Sequence, residues 1–143
     1  MAAKSGLRII SWNMRGLNCP FKRGSVVWVL RRYLCDVAIL LESKLEEVDD
    51  QVILSLWSRC QVKWLFLPSI GRSLGIIIIF DFQVFELVDY RIGVYFSCCN
   101  LRSMQDNFVY GFIGIYGPNE DTLRVGLWAV SYTHLTLPTN REV

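Results

Sequence analysis

Three polar side chains stand at the ends of segments that have the character of buried strands. Asn13 follows the strand-like residues 7–12, and Glu42 follows the continuous apolar run 37–41. Tyr116 ends a third such segment. In α/β proteins the carboxyl ends of strands form the rim at which ligands bind. We therefore expect these side chains to meet at one rim of the molecule.

The chemistry that suits these residue types is metal-assisted attack on a phosphodiester. A hard cation such as Mg²⁺ takes oxygen ligands, usually one or two carboxylates with water and phosphate oxygens. Glu42 offers a carboxylate and Asn13 a neutral amide oxygen, and a bound ion would stabilise negative charge on the phosphate. The hydroxyl of Tyr116 would donate to a phosphate oxygen or orient the nucleophile. Asn119 would add a donor to the nucleic-acid backbone.

Each of these residues has an ordinary structural alternative. A polar residue after a strand is usually a cap or a turn former, so only the joint occurrence in this order favours a site. Tyr116 is nearly as well explained by core packing with its hydroxyl at the rim. Several basic residues would either contact phosphates or only solvate a surface: Arg15, Lys44, Arg72 and Arg102. The acidic residues between 46 and 50 are interpreted as a solvated helix start, and the tryptophans as core residues.

The elements that must position these side chains are predicted from hydrophobic periodicity. A strand at 7–12, a helix at 22–34 and a strand at 37–41 indicate α/β packing. On that helix Val26, Val27, Leu30, Tyr33 and Leu34 are expected to share the buried face. A second helix follows the acidic residues, and a turn-rich loop covers 69–75. Further strands are predicted at 63–67, 75–80, 85–91, 93–99 and 107–116, with a short helix near 123–128.

Three short motifs resemble those of the endonuclease/exonuclease/phosphatase superfamily. Trp12-Asn13-x-x-Gly16 is similar to its opening metal-site motif, and Glu42-Ser43-Lys44 to the motif whose glutamate is the principal metal ligand. Residues 115–119 are similar to its tyrosine motif. Residues 10–18, 68–73 and 116–119 more closely resemble the endonucleases of plant LINE-type (non-LTR) retrotransposons. The resemblance covers roughly residues 7–128.

The resemblance implies a fold, an activity and partners. The fold would be part of a two-sheet α/β sandwich of the deoxyribonuclease I-like type. The activity would be that of a DNA endonuclease that depends on Mg²⁺, with Mn²⁺ as a substitute, and nicks a strand in retrotransposition. Asn13 and Glu42 would hold the metal and act in catalysis with Tyr116, while Asn119, Arg15 and Arg72 would contact the nucleic acid. A reverse transcriptase domain is implied in a full-length polyprotein.

Departures from the superfamily pattern lead us to expect an inactive chain. Leu41 stands where the superfamily usually has glutamine before the metal-binding glutamate. The Gly-Asp-x-Asn motif is missing, and Asp81 is interpreted as a turn residue. The Ser-Asp-His motif has no counterpart, and His134 is not expected to be catalytic. The alternatives are a non-catalytic nucleic-acid-binding remnant and a phosphatase or phosphodiesterase on the same scaffold.

The domain limits follow from where the resemblance stops. Residues 1–128 are interpreted as the N-terminal part of the domain. Residues 129–143 do not continue the pattern and resemble translated sequencing-adapter sequence, so we interpret them as an artefact; a threonine-rich terminal strand is the alternative. Because such a part would lack half of the sandwich, we expect an exposed apolar sheet face and poor solubility.

Bulk properties restrict the remaining possibilities. The 143 residues have a net charge of +2, which neither requires nor excludes a nucleic-acid partner. Mean hydropathy is +0.32, but the most apolar run, 76–80, is far shorter than the roughly 20 residues that span a bilayer. We find no secretory signal. The five cysteines lack a C-x-x-C pair, so free thiols are expected. We expect a nuclear or cytoplasmic protein.

Overall fold

The computed structural model describes residues 6–57, 61–71 and 73–115. In chain order their elements are β1 (Ile9–Asn13), α1 (Pro20–Arg32), β2 (Val37–Leu41), α2 (Asp50–Trp57), β3 (Val62–Leu67), β4 (Ile76–Asp81), β5 (Phe85–Ile92), β6 (Phe96–Ser103) and β7 (Val109–Ile115). The predicted short helix near 123–128 lies outside the described residues. No helix among the described residues is long and apolar enough to cross a membrane.

The first sheet has the strand order β1-β2-β4-β3. β1 and β2 are parallel, whereas β4 runs antiparallel to both of its neighbours. Parallel strands need a crossover connection, and α1 supplies it here. As a result the carboxyl ends of β1 and β2 lie side by side, with Asn13 paired to Leu41. β4 is buried along its whole length, as its run of isoleucines predicts.

The second sheet is antiparallel, with the order β5-β6-β7. Its outer face carries polar pairs between neighbouring strands. Arg102 donates to Glu86 over 2.6 Å, and the Asn100 amide donates to Asp89 over 2.7 Å. Arg102 is thus paired on the surface of this sheet. Such cross-strand pairs hold the register of an antiparallel sheet.

Two hydrophobic cores share the first sheet. One lies between that sheet and the two helices and contains Leu30, Leu40, Ile53, Trp57 and Ile77 among others. The other lies between the two sheets; its members include Ile39, Ile78, Phe85, Leu101 and Phe112. The expectation of an uncovered inner sheet face is therefore wrong for β2, β3 and β4, whereas on β1 Ile9 is 47% exposed and Ser11 is exposed. Within the described residues, β5, β6 and β7 supply a second sheet that packs on β2, β3 and β4.

The sheets approach each other most closely at a glycine of β7. A Cβ added at Gly114 would lie 2.8 Å from Cγ2 of Ile39 and 3.3 Å from Cδ2 of Leu41. Real Cβ atoms essentially never come that close to the first of these atoms. The absence of a side chain at Gly114 thus lets β7 lie directly against β2.

α1 begins with Pro20 at its first turn, where a missing N–H costs no hydrogen bond. Val26 and Leu30 are buried, as predicted. Tyr33 and Leu34 are more than half exposed, because the helix ends at Arg32 and they belong to the turn that follows. The expectation that they pack on the buried face is wrong.

Trp28 is 61% exposed and is likewise not a core residue. It lies on the side of α1 opposite Val26 and Leu30, where the helix faces solvent. Of the other tryptophans, Trp57 is buried, and Trp12 and Trp64 pack against the first core. Trp128 lies outside the described residues.

The remaining local predictions largely agree with the structure. α2 begins at Asp50, the last of the acidic residues, and Oδ1 of Asp49 accepts the Val52 N–H at 2.9 Å, as an N-cap does. Asp81 forms a turn, because its carboxylate accepts the Gln83 N–H at 2.8 Å. β6 starts later than predicted, since the Gly93 N–H donates to Phe96 O at 2.9 Å and closes the β5–β6 turn.

Candidate metal centre

Asn13 and Glu42 meet at the carboxyl ends of β1 and β2. The Asn13 amide donates from Nδ2 to Oε2 of Glu42 over 2.7 Å. The parallel register explains the meeting: Asn13 pairs with Leu41, and Glu42 is the next residue along. The structure thus brings together two side chains that are 29 residues apart in sequence. Their binding of a metal stays a prediction.

The loops that carry these residues are fastened to each other by backbone hydrogen bonds. Met14 N–H donates to Leu41 O at 2.8 Å, and Gly16 N–H donates to Glu42 O at 2.7 Å. On the other side, Ser43 N–H donates to Gly75 O at 3.1 Å. Glu42 is therefore held between the loop after β1 and the start of β4.

Gly75 is required at this position. Its φ is +88°, a conformation that L side chains rarely adopt, and an added Cβ would collide with Oγ of the buried Ser43. The residue next to Glu42 thus depends on a glycine that follows it by more than 30 positions. Sequence reasoning missed this contact, because nothing local to either segment indicates it.

Three residues around the site have left-handed backbone conformations. The φ angles are +54° at Arg15, +55° at Glu42 and +56° at Lys44. Each such non-glycine residue costs of order 1–3 kcal/mol and persists only where its surroundings impose it. Two of the three lie on either side of the buried Ser43. Strain of this kind clusters at ligand sites, which favours a functional role for this rim.

The first turn of α1 fixes the loop that follows Asn13. Nζ of Lys22 donates to the carbonyl oxygens of Met14 (2.9 Å) and Arg15 (3.1 Å). Nε of Arg23 donates to Leu17 O at 2.7 Å. These two side chains satisfy carbonyls that the loop leaves without strand partners. From the sequence, Lys22 and Arg23 were interpreted only as charged residues on the surface of the helix.

The donor set fits a single hard cation bound mainly through Glu42. A carboxylate has about four acceptor sites on two oxygens, so the bond from Asn13 leaves capacity for a metal. Oδ1 of Asn13 accepts the Arg15 N–H at 3.2 Å. In this arrangement Asn13 orients the carboxylate. Among the described residues no group of three or more His, Cys, Asp or Glu side chains could hold a metal ion; one carboxylate with water and phosphate suits Mg²⁺.

Of the four other predicted site residues, the structure describes one. Arg15 is exposed beside the site, and its backbone N–H contacts Asn13. Tyr116, Asn119 and Arg72 lie outside the described residues. The described part of β7 does reach this rim, because Gly114 lies against Leu41, the residue before Glu42.

An open groove of about 720 Å³ lies beside the candidate centre. Its lining includes Asn18 from the β1–α1 connection, Arg23 from the first turn of α1, Lys44 next to the site, and the acidic Glu46 and Glu47. The amide of Asn18 donates to Lys44 O at 3.4 Å, which joins the two sides of the groove. The mixture of charges makes the groove polar.

The described cysteines belong to no group of three or more His, Cys, Asp or Glu side chains that could hold a metal ion. Cys19, Cys35, Cys98 and Cys99 are not joined in disulfides, and Cys60 lies outside the described residues. Burial raises the pKa of the Cys99 thiol to about 12, with smaller contributions from neighbouring Cys98 and Asp89. A thiol with so high a pKa is neither a nucleophile nor a metal ligand near neutral pH.

Comparison with solved structures identifies the architecture. An endonuclease/exonuclease/phosphatase family protein from Bacteroides thetaiotaomicron superposes with a TM-score of 0.71 at 12% identity, over 94% of this chain and 58% of that one. TDP2 of D. rerio in complex with a single-strand DNA product gives 0.65 at 16% identity, over 94% and 56%. The AP endonuclease LMAP of Leishmania major gives 0.58 at 16% identity, over 95% and 47%.

The fold is that of the endonuclease/exonuclease/phosphatase proteins. The predicted fold class, a two-sheet α/β sandwich of the deoxyribonuclease I-like type, is confirmed. The chain spans about half to six-tenths of the length of these solved structures. Comparison at the sequence level matches the chain to no family profile and to no curated protein. Identities this low establish the fold alone.

Proposed function

We propose that this chain supplies the metal-binding part of a Mg²⁺-dependent DNA endonuclease of the endonuclease/exonuclease/phosphatase type. Glu42 is the metal ligand, and Asn13 holds its carboxylate in position and contributes to the metal shell. The observation that carries the proposal is the 2.7 Å contact between these side chains at adjacent parallel strand ends. The strained backbone at Glu42 and the nuclease-like fold of the neighbours support it.

DNA is the proposed substrate. One structural neighbour was solved with a single-strand DNA product, and another is named an AP endonuclease. Tyr116, Asn119, Arg15 and Arg72 would contact the phosphate and the backbone of the nucleic acid. The motif resemblance further supports an origin in a plant LINE-type retrotransposon, with a reverse transcriptase domain in the full-length polyprotein.

The residues of this chain would act through position and charge. A bound divalent ion would supply Lewis-acid stabilisation of the charge that develops on the phosphate. Asn13 keeps the Glu42 carboxylate directed to one place, which reduces reorganisation when a ligand binds. The backbone bonds at Gly16 and Ser43 keep both loops rigid around it. Proton transfer to or from the reacting water is not assigned to any described residue.

Paramagnetic Mn²⁺ tests the proposed centre directly. In the wild-type chain, Mn²⁺ should broaden NMR signals most strongly around residues 13–16 and 42–44. Glu42→Gln should abolish this pattern, because the substitution removes the charge and keeps the shape. Glu86→Gln is the matched control: it removes a carboxylate from the other sheet and should leave the broadening unchanged. Broadening that survives in Glu42→Gln would refute the assignment.

Plasmid nicking tests the activity in a longer protein that contains this sequence. Side chains that hold a metal ligand in position are typically worth 10–100-fold in metal affinity or activity. We expect Asn13→Ala to lower nicking by about that factor, and Glu42→Ala to lower it by more than about 100-fold. Unchanged nicking in Glu42→Ala would remove this residue from the mechanism.

A further inference from the structure

The outward face of α1 carries two large exposed aromatic side chains. Phe21 is 81% exposed and Trp28 is 61% exposed. They are seven residues apart, about two helical turns, so they lie on one face, opposite the buried Val26 and Leu30. Gly24 lies between them, and a Cβ there would meet nothing within 4 Å. The two rings thus border open space along the helix.

The same face carries two arginines. Arg31 and Arg32 follow Trp28 by one further turn, and both are exposed. Lys22 and Arg23 in the first turn donate to loop carbonyls and do not belong to this face. α1 contains no acidic residue. We call the surface formed by Phe21, Trp28, Arg31 and Arg32 the α1 aromatic face. It is the part of the helix turned away from the first core.

This combination of side chains matches one kind of ligand. Isolated exposed apolar residues are ordinary, but two aligned aromatic rings beside clustered arginines form a patch with a specific chemistry. The arginines favour an anionic partner. Aromatic side chains stack on unpaired bases, whose faces are accessible only in single strands, while arginines pair with phosphates or stack as well. A duplex hides its base faces and offers this surface only phosphates.

We propose that the α1 aromatic face binds single-stranded nucleic acid, with bases stacked on Phe21 and Trp28 and phosphates paired with Arg31 and Arg32. This binding goes beyond the proposed nuclease function and needs no metal. The face is joined to the candidate centre, because Lys22 fastens the first turn of α1 to the carbonyls of Met14 and Arg15. A strand lying along α1 would therefore lead to the rim that carries Asn13.

Fluorescence anisotropy with a labelled single-stranded oligonucleotide of about 12 nucleotides, a length within the usual site-size range, tests the stacking. The measurement is made in EDTA. The double variant Phe21→Ala/Trp28→Ala should bind about ten-fold or more weakly than wild type. Phe108→Ala is the matched control, since Phe108 is 59% exposed on the other side of the molecule. It should bind as wild type does.

The salt dependence tests the arginines independently of the rings. Each phosphate contact to a single strand contributes about 0.7 to the slope of log K against log salt. Arg31→Gln/Arg32→Gln should therefore reduce that slope by about 1.4. Arg91→Gln removes an exposed arginine from β5 and should leave the slope unchanged.

Several results would overturn the proposal. Equal affinity of wild type and the aromatic double variant would do so, as would an unchanged salt slope in the arginine variant. Equal sensitivity of duplex and single-strand binding to the ring substitutions would also contradict it. If the wild type forms a dimer that Phe21→Ala/Trp28→Ala dissociates, without single-strand binding, the face is a self-association surface instead. Glu42→Gln should keep the binding, so failure of the metal centre would be seen separately.

Discussion

At the scale of single residues, Glu42 combines a functional group with an unfavourable backbone. Its φ of +55° is imposed by bonds to Gly16 on one side and by the paired Ser43 on the other. A glycine would adopt this conformation without strain, but only a glutamate supplies the carboxylate that Asn13 contacts. The sequence thus has a glutamate with a strained backbone at a position where glycine would be unstrained.

Glu42→Gly should therefore separate stability from metal binding. Relief of the left-handed strain is worth about 1–2 kcal/mol, which should offset the lost side-chain contacts and leave the urea midpoint unchanged or higher. Mn²⁺ binding should disappear. Glu86→Gly is the control, because glycine in an ordinary strand position destabilises by about 0.5–1 kcal/mol and the ion pair with Arg102 is lost as well, so its midpoint should fall. A large loss of stability in Glu42→Gly alone would show that the backbone there is not strained.

The centre could be predicted from the sequence only in part. Asn13 and Glu42 were identifiable because each follows a strand-like apolar run, and parallel strands place such residues at one edge. The roles of Lys22, Arg23 and Gly75 were not identifiable. Lys22 and Arg23 donate to backbone carbonyls of the preceding loop, and Gly75 contacts Ser43 more than 30 positions earlier. Hydrogen bonds to carbonyl oxygens depend on geometry rather than on the identity of the partner, so they leave no sequence pattern.

At the scale of elements, apolar periodicity located strands and helices but misplaced several contacts. Continuous apolar runs gave β2 and β4, both buried on two faces. The exposure of Trp28 was missed because residue type alone assigns tryptophan to a core. The covering of the first sheet by the second was also missed, since the amphipathic strands β5 to β7 do not reveal which sheet they join.

The contact between β7 and β2 gives a prediction at this scale. Gly114→Ala would place a methyl group 2.8 Å from Cγ2 of Ile39, and overpacking of this kind typically costs 1–3 kcal/mol. We expect a lower urea midpoint with an unchanged m-value.

Gly111→Ala is the matched control for that substitution. It lies on the same strand but is exposed, and its nearest neighbour is a side-chain oxygen of Asn100 at 3.2 Å. Its midpoint should stay at or above that of wild type. Equal effects of the two substitutions would show that the sheets are not in close contact at Gly114.

At the scale of the whole molecule, the two cores are expected to unfold together. Both use opposite faces of the same four-stranded sheet, so loss of one core uncovers the sheet face that supports the other. Small domains of this kind usually unfold in one transition. The chain itself offers a probe in each core: Trp57 in the first and the Cys99 thiol in the second.

Alkylation of Cys99 and tryptophan fluorescence should report the same urea midpoint. With its pKa raised to about 12, folded Cys99 should react at pH 8 only after the second core opens. The exposed Cys19 should react throughout and serves as the control. The same shift predicts a loss of stability between about pH 9 and 12, because the unfolded thiol releases its proton first. Alkylation at lower urea than the fluorescence change would show independent opening of the second core.

The strand order of the first sheet affects when its most apolar strand can find its native partners during synthesis. β4, with its four consecutive isoleucines, is the segment most prone to pair with other chains. It occupies the slot between β2 and β3, and both of these strands precede it in the sequence. During synthesis, which proceeds at about 5–20 residues per second, both flanking strands leave the ribosome before the isoleucines do. β4 therefore leaves the ribosome only after both of the strands with which it pairs in the folded sheet.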